Sequence, residues 1–121
     1  MSAPARPTVT KLAALTGHRD AVYGLAGGAG STIYSGGADG LVVAWDAATP
    51  GQDGELLARV ENSVYALRHL PELGLLALGH NFQGIQAIDL AGKQLAHAKA
   101  LPPVAIFDIV HSASRQRLYV A

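Results

Sequence analysis

Short apolar runs return at a fixed interval, and that interval restricts the folds open to this chain more than any other feature. Val22-Tyr23-Gly24-Leu25 returns as Val64-Tyr65-Ala66-Leu67 and again as Ile106-Phe107-Asp108-Ile109, a step of 42 residues each time (22 to 64 to 106). The following run keeps the step: Ile33-Tyr34-Ser35-Gly36-Gly37, then Leu75-Leu76-Ala77-Leu78-Gly79, then Arg117-Leu118-Tyr119-Val120-Ala121. Two segments in register over three copies indicate one structural unit used repeatedly.

The unit is built from strands. A third run, Gly40-Leu41-Val42-Val43-Ala44-Trp45-Asp46, answers to Gly84-Ile85-Gln86-Ala87-Ile88-Asp89. A fourth, Leu56-Leu57-Ala58-Arg59-Val60, answers to Gln94-Leu95-Ala96-His97-Ala98, and Leu12-Ala13-Ala14-Leu15 precedes the first unit in the same role. The separators are turn-formers, among them Gly27-Gly28-Ala29-Gly30-Ser31, Asp39-Gly40, Pro71-Glu72-Leu73-Gly74 and Ala91-Gly92. A helical repeat fails because the runs are short, broken by Gly, and lack a sustained 3.6-residue period. Four short strands in 40–45 residues is the pattern of a propeller blade. The expected fold is therefore all-β, a partial β-propeller of about two and a half four-stranded antiparallel blades. Residues 1–10 read as an N-terminal extension, and the repeats as approximately 11–53, 54–93 and 94–121.

At the first repeat the residues are more specific. Thr16-Gly17-His18 before the first strand, Ser35-Gly36-Gly37-Ala38-Asp39-Gly40 at the second turn and Trp45-Asp46 closing the third strand resemble a WD repeat. The resemblance implies a buried hydrogen-bonded relay of His18, Ser35, Asp39 and Trp45 that pins the outer loop to the central strands. Ser, His and Asp are also the residue types of a nucleophilic triad. The resemblance, however, places the Ser inside a strand with its hydroxyl engaged, so no exposed nucleophile and no catalytic residue is expected. The later repeats depart from the pattern. Val60, Ala77, Asn81 and Ile88 stand in the His, Ser, Asp and Trp positions of the second, and Pro102 in the His position of the third.

The family resemblance implies a rigid platform for a protein or peptide partner. Tyr23, Tyr65 and Phe107 share one repeat position, which in this family lies at the mouth of the central channel and suits aromatic anchors. Packing between adjacent blades is the competing role for the same rings. Arg19 and Asp20, in the preceding loop, are candidate rim contacts.

Other functions find little support. Lys+Arg and Asp+Glu both number 9, so the basic excess of a nucleic-acid binder is missing. His69 and His111 are also repeat-related, yet no Cys and no short His spacing supports a metal site. The glycine runs do not open helices, so no phosphate loop is expected. His80 and His97 read as incidental turn and outer-strand residues. With no Cys, no signal-like apolar run and no membrane span, the chain reads as a soluble cytoplasmic protein without a cofactor. The remaining blades are expected from the same longer chain or from other subunits. The alternative is an enzymatic or cofactor-binding propeller whose ligand residues lie in blades not present here.

Overall fold

Alternating Val, Ile, Leu and Tyr favour extended backbone, and the glycine-rich separators fold each run back on the one before it. The computed structural model describes residues 4–81, 84–101 and 104–121, and within these the chain is all-β. The first sheet holds β1 (Val22–Gly27), β2 (Thr32–Gly37), β3 (Leu41–Asp46) and β4 (Glu55–Arg59), antiparallel and in chain order. The second repeats it with β5 (Val64–Leu70), β6 (Leu75–His80), β7 (Ile85–Asp89) and β8 (Gln94–Lys99). A two-stranded sheet of β9 (Ile109–Ser112) and β10 (Arg117–Val120) follows. The one helical element among the described residues is a 3-10 turn, Pro71–Leu73. No helix among them is long and apolar enough to cross a membrane.

Each seam between sheets is a separate apolar core. Strand side chains alternate between faces, so Tyr34 and Val42 point from the first sheet toward the second while Ser35 points away. Tyr34, Val42, Leu57 and Val60 meet Val64, Leu67, Leu76, Leu78 and Ile88 in the first seam. Ala66, Leu70 and Ala77 meet Ile106 and Ile109 in the second. Burying a side chain of this size contributes about 1.5–3 kcal/mol, so these seams, rather than strand pairing, hold sheet to sheet. Both require glycine where strands approach closely. A Cβ on Gly36 would lie 2.7 Å from Val64 Cγ1, and one on Gly79 would lie 2.7 Å from Ile106 Cγ2.

Three local expectations are corrected. Leu12-Ala13-Ala14-Leu15 forms no strand, and Leu12 is 92% exposed. A strand in that role must hydrogen-bond to the third strand of a sheet, and no described strand lies free beside it. The third repeat enters its regular strand at Ile109 and not at Ile106. Before that, Phe107 and Asp108 both donate to the Ala121 carbonyl, at 2.6 and 3.0 Å, which is an irregular start to the same hairpin.

The register within the second repeat also differs from a uniform 42-residue step. Leu25 faces Ser35 across the first hairpin, whereas Leu67 faces Leu78 across the second. The counterpart of Ser35 is therefore Leu78, not Ala77, because the strand after the Pro71–Leu73 turn starts one residue later relative to its partner. Pro102 lies outside the described residues.

Candidate functional site

The sequence-derived relay is assembled in the first sheet. His18 sits in the loop before β1, Ser35 in β2, Asp39 in the turn between β2 and β3, and Trp45 near the end of β3. His18 Nδ1 lies 2.9 Å from Asp39 Oδ2, and Nε2 lies 2.6 Å from Ser35 Oγ. The Trp45 indole N–H donates to the same Ser35 oxygen at 2.7 Å. A carboxylate can only accept, so Nδ1 carries a proton toward Asp39; Nε2 then accepts from the Ser35 hydroxyl, whose oxygen accepts the indole N–H. The side chains of His18 and Asp39 are 6% and 7% exposed, and Ser35 and Trp45 are 3% and 6%.

Asp39 organises more than His18. Its carboxylate also accepts the backbone N–H of Arg19 at 2.9 Å and of Leu41 at 3.1 Å. Burial raises its pKa, but those two N–H groups together with His18 outweigh it and hold the carboxyl below its ordinary value. The turn that presents it closes on Gly40, whose φ of 75° is cheap for glycine alone. The Ser35 hydroxyl is engaged by both His18 and Trp45, and the residue is buried.

The second feature is an aromatic ladder. Tyr23 and Tyr65 have ring centroids 5.0 Å apart, and Tyr65 and Phe107 are 5.1 Å apart, both pairs tilted. A β-bulge produces each of the first two rungs. Pairing jumps between Val22 and Gly24 in β1 and between Val64 and Ala66 in β5, leaving Tyr23 and Tyr65 as the extra residues. Phe107 is the corresponding residue where two N–H groups share the Ala121 carbonyl. A bulge bends the strand and re-aims the unpaired side chain. Here it turns Tyr23 and Tyr65 out of their sheets beside Phe107, with Tyr23 51% and Phe107 66% exposed.

The rings lie against one another from sheet to sheet, and Tyr23 and Phe107 still present surface. Arg19 and Asp20 are exposed beside Tyr23, and Asp20 caps the N–H of Ala21 at 2.8 Å.

The repeat-related histidines do not form one site. His69 stacks against Tyr34 of the first sheet at 5.8 Å, and His111 lies 4.0 Å from Glu72. Among the described residues no group of three His, Cys, Asp or Glu could hold a metal ion. Asp108 turns back to cap the N–H of Ile109, while the Arg68 guanidinium donates to the Ile109 carbonyl at 2.9 Å and straps the second sheet to the third.

One site was missed by sequence reasoning. His80 is not a turn residue: it ends β6 and is fully buried. Neither ring nitrogen has a hydrogen-bond partner among the described residues, and neither does Asn81 Oδ1 or Gln86 Oε1. Burial lowers the His80 pKa from its ordinary 6.5, with the nearby Gln86 side chain opposing the shift. The signal was available as a polar residue beside the buried Gly79, but the shifted register concealed its facing.

A pH effect follows, with its sign set by the lowered pKa. Below pH 6.5 the unfolded chain takes up the His80 proton before the folded one, so stability falls as pH drops toward the folded value. The slope from one such group is at most about 1.4 kcal/mol per pH unit. Urea unfolding of wild type and His80→Leu between pH 7.5 and 5 should show this slope in the wild type and a flatter one in the variant. Equal slopes would mean that His80 is solvated in the folded chain.

No protein-family model matches the chain, and no curated protein matches it. Solved structures do. The computationally designed Ika8 protein aligns with a TM-score of 0.65 and 23% identity over 84% of this chain and 30% of its own. U3-55K aligns with a TM-score of 0.67 and 16% identity over 78% of this chain and 29% of its own. At these identities the likeness is one of fold. The chain spans about three tenths of the length of these structures.

Proposed function

We propose that the chain is part of a WD-repeat propeller and works as a non-catalytic platform for a protein or peptide partner. The observation that carries the reading is the ladder of Tyr23, Tyr65 and Phe107, three neighbouring rings at one repeat position, the first two set by β-bulges. Exposed aromatic side chains with few rotatable bonds are the commonest energetic anchors of interfaces. The His18–Ser35–Asp39–Trp45 tie supports the WD-type assignment, and the fold likeness to U3-55K supports a scaffold of this kind.

In this proposal the sheets are propeller blades, two whole and one in part. Further blades come from the same longer chain or from other subunits, since about 4–8 are needed for closure. Arg19 and Asp20 form the rim of the contact. The cysteine-free composition agrees with a cytoplasmic setting.

The test begins by selecting peptides from a displayed library on the wild-type chain. Affinities of the selected peptides are then compared with those for Tyr23→Ala and Tyr65→Ala. Each substitution is expected to weaken binding about tenfold or more, the effect of removing an anchor. Urea stability should change by less than about 1 kcal/mol, as for surface positions. Unchanged affinity would remove the ladder as the docking site, and a stability loss of several kcal/mol would make the rings core.

A further inference from the structure

Two charged side chains, Arg68 and Asp108, are not required by the repeat. Asp108 occupies the position of Gly24 and Ala66, and Arg68 that of Ala26 and Val110. The other sheets therefore form without a carboxylate or a guanidinium at these places. Both groups are nevertheless fixed, and by the same residue. Asp108 Oδ1 accepts the Ile109 N–H at 2.9 Å, and Arg68 Nε donates to the Ile109 carbonyl at 2.9 Å. Ile109 is 1% exposed and anchored in the second seam. Each bond engages one atom of its group, and neither group takes part in an ion pair among the described residues. Both line one groove of about 430 Å³ that runs across β1, β5 and the start of the third hairpin, with Leu25, Leu67 and Pro71 as its apolar wall.

Opposite charges that face one groove without meeting each keep hydrogen-bonding capacity for a ligand. A guanidinium fork matches a carboxylate, and a carboxylate matches an ammonium group. A ligand with a single charge would satisfy one group and oppose the other. Because both groups are held by one residue, the two charges of the ligand must also lie close together. They do so across the single α-carbon of an amino acid. We propose that this groove binds a free α-amino acid with an apolar side chain. Its carboxylate lies on the Arg68 guanidinium, its ammonium group on Asp108, and its side chain against Leu25, Leu67 and Pro71. The volume falls in the range of small-molecule sites, about 300–1,000 Å³. The site is separate from the aromatic ladder and stands whether or not a peptide docks there.

Isothermal titration calorimetry of the full chain with three probes tests this. They are leucine, N-acetylleucine, which lacks the ammonium charge, and leucinamide, which lacks the carboxylate. Leucine is expected to bind saturably, and each blocked form about tenfold or more weaker, the loss of one charge-assisted contact. Asp108→Asn still offers an acceptor to the Ile109 N–H and should erase the preference for leucine over N-acetylleucine. Arg68→Gln should erase the preference over leucinamide, so each charge is read against its own partner. Urea midpoints show that the variants fold; if Arg68→Gln does not, Asp108→Asn and the three probes on wild type decide. No saturable leucine binding, or equal affinity for all three probes, would overturn the proposal. So would a preference over N-acetylleucine that survives Asp108→Asn.

Discussion

Trp45→Ala is expected to destabilise the chain by about 3–5 kcal/mol, the usual cost of removing a buried aromatic ring. The ring is 6% exposed and lies between glycines that admit nothing larger: a Cβ on Gly54 would be 2.9 Å from its six-membered ring, and one on Gly17 would be 3.2 Å from it. Backbone on two sides limits how far the surroundings can collapse into the space, which places the cost in the upper part of that range. The substitution also removes the N–H that donates to Ser35. Trp45→Phe keeps most of the ring and deletes that donor, so the difference between the two variants reads the bond separately. Urea denaturation followed by circular dichroism measures both. A loss below about 1 kcal/mol for the alanine variant would place Trp45 on the surface and dissolve the relay as a stabilising unit.

Ile88→Ala is expected to cost about 2–5 kcal/mol, the range for emptying a fully buried aliphatic site. Ile88 is the counterpart of Trp45 in the second sheet, and the same strand position does opposite work in the two. Trp45 is held by polar atoms on a face turned away from the neighbouring sheet, while Ile88 is 0% exposed within the seam that joins the sheets. Its removal should therefore loosen the sheets from one another. The accompanying measurement is the urea m-value, which scales with the surface exposed on unfolding. A lower midpoint with unchanged m reports a cavity; a reduced m reports that the seam has already opened.

The 42-residue spacing made the strand content legible, because each run is too short and too Gly-bounded to be anything else. The relay was legible because its four residues lie in one repeat whose turns are tight and leave little freedom of register. Ser35 was misaligned with Ala77 for a related reason. Spacing counts residues, whereas register counts hydrogen-bonded pairs, and a turn that adds one residue moves every later side chain to its neighbour's place. His80 was lost through that same shift, since only the true register turns it inward. Leu12-Ala13-Ala14-Leu15 was misread because propensity describes what a strand tolerates, while a strand exists only where an edge is available to pair with it. The bulges at Tyr23 and Tyr65 left no mark in the composition; the repeat position of these rings and of Phe107 was legible, but their outward turn was not.

Each seam joins only adjacent sheets, so the molecule has a middle and two ends in a mechanical sense. A fluctuation that lifts the first sheet leaves the contacts of β9 and β10 untouched, and the reverse holds. Opening therefore proceeds inward from the outermost leaves. The amides of β6 and β7, shielded from both directions, are the last to trade their protons with solvent.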